Sequence, residues 1–74
     1  MVPEHNLSIE YWHHYSKTWQ RYMQGHDYPA MRKEYQYAVD SSPTNSYRLR
    51  DNARMETLRT DIGTVYKPEG LNAS

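Results

Sequence analysis

From Ile9 to Gln24 the bulky side chains recur every three or four residues. Trp12, Tyr15, Trp19, Tyr22 and Met23 fall on one side of a helical wheel, and Glu10, His14, Lys17, Arg21 and Gln24 on the other. Ser8 stands where an N-cap would, Glu10 lies in the first turn, and Gly25 follows at a position suited to a left-handed residue. The pattern predicts a helix over Ser8–Gln24. A second helix is predicted from an Asp27 cap, with Pro29 in its first turn and Met31, Tyr35 and Ala38 as its inner stripe. It stops near Asp40, where Ser41-Ser42-Pro43 breaks the pattern. Pro43 then reads as the first turn of a third helix, running to about Asp61 and ending at Gly63. Its stripe is Tyr47, Met55, Leu58, Ile62 and Val65, with Leu49 and Ala53 nearly opposite. The Asp51-Asn52 pair marks a kink or break.

The expected fold is therefore all-α, a small bundle of three helices, or four, over residues 8–66. Residues 1–7 form a lead-in and 67–74 a disordered tail. The expected core is Trp12, Tyr15, Trp19, Tyr22, Met31, Tyr35, Ala38, Met55, Leu58 and Ile62.

Composition narrows the function classes. Seventy-four residues allow one domain with a thin margin of stability. The chain has 8 Tyr and 2 Trp but no Phe, so every aromatic ring carries a polar tip, as at binding surfaces. There is no Cys, which removes disulfides and thiolate metal sites. The opening residues show no basic region followed by an apolar run, and no apolar stretch approaches the roughly 20 residues that span a bilayer. The expected location is cytoplasmic, in the host cytoplasm if the chain is phage-encoded. Nine basic residues balance nine acidic ones, which argues against a dominant non-specific nucleic-acid binder. Arg48, Arg50, Arg54 and Arg59 nevertheless cluster, and Arg favours planar, bidentate recognition.

Chemistry is sparse. Glu10 and His13 have the Glu-x-x-His spacing of di-iron bundles, but the second pair and the extra carboxylates are missing. No zinc-binding or nucleophile motif is present, and three Gly residues give no phosphate-cradling loop. The expectation is a non-enzymatic protein with no metal and no cofactor. The Trp12/Tyr15/Trp19/Tyr22 stripe reads first as core. Tyr11, Tyr28 and Tyr37 cannot all be buried with it, and exposed Tyr beside Arg is the composition of an interface hot spot. A partner-binding set of Tyr47, Arg48, Arg50, Arg54 and Arg59, with Tyr11 and Tyr37, follows from this.

Ser41 to Arg50 (SSPTNSYRLR) is similar to the turn and recognition-helix start of helix-turn-helix proteins. That resemblance implies a dimeric DNA binder with Thr44, Asn45, Tyr47, Arg48 and Arg50 at the groove. Asp40 stands where that family carries a turn Gly. In size, lack of Cys, neutral charge and Tyr/Arg content the whole chain resembles small phage-encoded proteins that bind host RNA polymerase. This implies a regulator that occupies a protein surface, inhibiting or redirecting transcription as a monomer or weak dimer. Anti-defence proteins and virion assembly components share the same general character.

Overall fold

Leu7, Ile9 and Tyr11 alternate with Ser8, Glu10 and Trp12, and this two-residue period prevails over the helical one. The computed structural model describes residues 6–68. Among them are four strands and one helix: β1 (Leu7–His13), β2 (Thr18–Gly25), α1 (Tyr28–Ser41), β3 (Tyr47–Asp51) and β4 (Glu56–Asp61). The strands form one antiparallel sheet in the order β2-β1-β3-β4. Two hairpins thus meet along their first strands, with Ile9 opposite Leu49 at the seam.

The all-α expectation is overturned. The span expected as a first helix is the β1–β2 hairpin, and the span expected as a third helix holds the β3–β4 hairpin. The residues themselves explain this, because Ile, Tyr, Trp and Thr pack well on a pleated surface and lose rotamer freedom in a helix. Gly25 does not end a helix but closes β2, where a Cβ would stand 2.7 Å from Met31 Sδ. The helix-turn-helix expectation falls with the third helix, since Tyr47, Arg48 and Arg50 lie on a strand and no recognition helix exists there.

The second helix stands as expected. Pro29 occupies its first turn, the Asp27 carbonyl accepts the Met31 N–H at 2.9 Å, and the Ser42 N–H closes the last turn on Ala38 O at 3.0 Å. The Asp27 side chain makes no cap bond. Met31, Tyr35 and Ala38 lie on one face of α1 and pack against Leu7, Ile9, Tyr47 and Leu49, completing the buried core. Leu7, expected in the lead-in, is fully buried. Of the other expected core residues, Tyr15, Tyr22, Met55, Leu58 and Ile62 are exposed, and Trp12 and Trp19 are half-buried.

Both hairpins turn through four residues, 14–17 and 52–55, and each loop ends on a non-glycine residue with positive φ, Lys17 at 55° and Met55 at 57°. Lys17 N–H returns to His13 O at 2.8 Å. Asp51 Oδ1 accepts the Ala53 and Arg54 N–H groups, both at 3.1 Å, so Asp51 shapes a turn here rather than a helix kink.

After β4 the chain returns along the α1–β3 connection. Thr64 N–H donates to Pro43 O, and the Val65 and Tyr66 N–H groups donate to Thr44 O. The buried Ser46 hydroxyl donates to Tyr66 O at 2.7 Å and accepts from Gly63 N–H at 2.9 Å. At Gly63 a Cβ would collide with the backbone of Thr44 and Asn45, so only glycine allows this approach. Of the expected tail 67–74, residues 69–74 lie outside the described residues, as do residues 1–5 of the expected lead-in. Among the described residues no helix is long and apolar enough to cross a membrane.

Candidate functional site

The helix covers one face of the sheet. On the other face, strand alternation sets side chains in rows across the strands. One row reads Arg21, Glu10, Arg48 and Thr60 from β2 to β4. The next reads Gln24, Ser8, Arg50 and Thr57, and Trp19 pairs with Trp12 beyond Glu10. No helix or strand of the described residues lies over this face.

At its centre Arg48 Nε donates to Glu10 Oε1 at 2.6 Å, with both side chains about four-fifths buried by their neighbours. The Arg48 guanidinium reaches across β1 to lie 4.5 Å above the Trp19 ring. Trp19 in turn meets Trp12 edge to face, with centroids 5.6 Å apart. Arg50 donates to Thr57 Oγ1 and Asn52 donates to Ser8 Oγ, both at 2.9 Å. Arg48, Arg50 and Asn52 are therefore each held by a neighbouring side chain before any partner arrives. A guanidinium clamped between a carboxylate and an indole loses little freedom when covered, and covering it strengthens both attractions by excluding water. The arrangement can bind. Among the described residues no group of His, Asp and Glu could hold a metal ion.

The residues expected at a partner site do not share one face. Arg48 and Arg50 are on the open face. Tyr47 is 5% exposed and packs under the helix, with Tyr11 beside it and Tyr22 meeting its edge. Arg54 sits on the β3–β4 loop, 3.9 Å from Asp51. Arg59 is on the helix side, 5.8 Å over the Tyr35 ring and 3.8 Å from Asp61. Tyr37 is exposed on the outer side of α1. Thr44 and Asn45 lie in the α1–β3 connection, where the Thr44 carbonyl and the Asn45 backbone hold the returning chain.

Trp12 and Trp19 were missed as surface residues because a helical wheel put them inside, and Glu10 and Arg21, expected on the outer side, were not placed beside Arg48. The signal lay in the alternation of Ser8, Glu10 and Trp12 against Leu7, Ile9 and Tyr11. On the covered face the single Tyr35 hydroxyl proton is shared between Asp61 Oδ2, at 2.6 Å, and Tyr47 O, at 3.1 Å. Burial first, then the bond to Asp61 and its negative charge, push the Tyr35 hydroxyl well above the ordinary tyrosine range.

Comparison with protein-family models, with curated proteins and with solved structures finds no match to this chain.

Proposed function

We propose that the protein is a non-enzymatic binding module whose open sheet face docks on a protein partner, and that it regulates transcription by occupying a surface of host RNA polymerase. The observation that carries the binding reading is the Glu10–Arg48–Trp19–Trp12 cluster at the centre of the uncovered face. Trp and Arg are the side chains most enriched at interface hot spots, and here they are surrounded by the polar Gln24, Thr57 and Thr60. A nucleic-acid partner fits less well. Glu10 would face phosphates, and Arg48 already covers the indole surface on which a base would stack. The choice of RNA polymerase rests on the resemblance in size, charge and composition to small phage-encoded regulators.

The test is binding of the purified protein to immobilised bacterial RNA polymerase, with and without nuclease, beside the variants Arg48→Glu and Trp19→Ala. Nuclease-resistant binding that both variants weaken at least about tenfold is the expected result, the scale of one hot-spot residue. Binding unchanged by both variants would rule out this face. Material retained only through nucleic acid would replace the partner class.

A further inference from the structure

On the helix side of the sheet, between the start of α1 and β4, lies an open groove of about 340 Å³. Arg32 and Lys33 from α1 and Arg59 from β4 line it, with Pro29, Tyr35 and Gln36 completing its walls. In a chain whose charges balance overall, three cations converge here and no carboxylate is among the lining residues. Asp61 lies beside the groove, 3.8 Å from Arg59, and already accepts the Tyr35 hydroxyl at 2.6 Å. Among the described residues that line or border the groove, one carboxylate stands beside three cations, a local excess of about two positive charges. Each guanidinium is also positioned, with Arg32 5.8 Å over the Tyr28 ring and Arg59 5.8 Å over the Tyr35 ring.

We propose that this groove binds a small phosphate monoester. A dianionic phosphate matches the uncompensated charge, and two guanidinium forks offer the paired N–H geometry that phosphate oxygens accept. Lys33 adds a mobile point charge. The Pro29 ring gives an apolar shelf for the organic part of the ester. The Tyr35 hydroxyl takes no part, being committed to Asp61 and Tyr47. This site is on the sheet face opposite the Trp12–Trp19 cluster and is independent of the partner proposed there.

The test is a titration of the intact isotope-labelled protein with inorganic phosphate, phenyl phosphate and adenosine monophosphate, followed by backbone and Arg side-chain amide shifts. Saturable shifts confined to Arg32, Lys33, Gln36 and Arg59 are expected. Arg59→Gln and Arg32→Gln should each weaken binding about tenfold, the loss of one charge-assisted contact. Lys17→Gln, which removes a positive charge from the β1–β2 loop at the opposite edge of the sheet from β4, should leave the affinity within about twofold, because exposed charges farther apart than a Debye length are largely screened. Tighter binding of either ester than of phosphate would show that the shelf is used, and the stronger of the two would identify the organic part. Absence of saturable shifts up to about 10 mM, a range that includes even weak millimolar binding, would overturn the proposal. So would equal weakening by Lys17→Gln.

Discussion

Tyr35→Phe isolates one oxygen in the core. The parent hydroxyl serves two acceptors, Asp61 Oδ2 at 2.6 Å and Tyr47 O at 3.1 Å, and the ring itself is 1% exposed. Phe retains the ring and its packing, so the change removes a donor without opening a large cavity. A hydrogen bond to a charged acceptor contributes about 1.5–3 kcal/mol. The Asp61 side chain is 37% exposed and Arg59 stands 3.8 Å away, so water and the guanidinium recover part of the loss. The expected cost at pH 7 is therefore about 1.5–2 kcal/mol, near the low end of that range. Urea unfolding followed by Trp fluorescence measures it.

The pH dependence provides a second, sharper readout. The folded Tyr35 hydroxyl holds its proton well above the ordinary tyrosine range, chiefly because it is buried and secondly because it bonds to Asp61. The unfolded chain releases that proton near pH 10. Between those two values the folded state binds more protons, so stability from this group is complete below about pH 10 and declines as pH rises. From pH 10 to 11 the parent should lose up to about 1 kcal/mol more than Tyr35→Phe, and the gap between the two proteins should narrow. Equal stability at pH 7, or parallel profiles above pH 10, would refute the hydrogen-bond reading.

Other expectations can be checked on the same protein. Gly63→Ala should prevent the returning chain from docking on Thr44 and Asn45, which amide hydrogen exchange at Thr64–Tyr66 would report as lost protection. Lys17→Gly and Met55→Gly should each stabilise the fold by about 0.5–1 kcal/mol in thermal melts, because both positions are left-handed. Trp19→Ala should cost only about 1–2 kcal/mol, less than a core Trp, since it removes an edge-to-face pair and a cation–π contact from a half-buried site. Loss of cooperative unfolding in that variant would place Trp19 in the core after all.

The helix was legible because its signals are local and agree. Asp27, Pro29 and the Met31/Tyr35/Ala38 spacing all point the same way, and Pro43 ends the pattern. The strands were not legible, for two reasons rooted in particular residues. Trp12, Tyr15, Trp19 and Tyr22 satisfy a helical spacing by coincidence, since Trp12 and Trp19 are cross-strand partners. The loops that would have announced two hairpins, HYSK and NARM, carry no Gly or Pro, and their left-handed positions fall to Lys17 and Met55. Asp51-Asn52 was visible as an interruption, but a break in a helix and a turn between strands use the same side-chain oxygen. For the site, Arg48 and Arg50 were legible as candidates, but that they share one face follows from the strand and not from the helix expected there. Their companions were not, because Glu10 and Trp19 reach Arg48 only through the sheet register.

The placement of the two Trp side chains carries an argument of its own. The core contains Leu7, Ile9, Met31, Tyr35, Ala38, Tyr47 and Leu49, a small set for a chain without disulfides. Trp12 and Trp19 are the largest side chains available, yet both lie on the face that the helix does not cover. Under α1 they would add more to folding than they do half-buried outside. The sheet edges give no comparable use for them. Both outer strands are bulged, at Tyr22 in β2 and Leu58 in β4, which twists the edges and opposes the addition of another strand. A partner of the kind proposed would thus be directed away from the edges and onto the open face, where Arg48, fixed between Glu10 and Trp19, would meet it with its orientation already set.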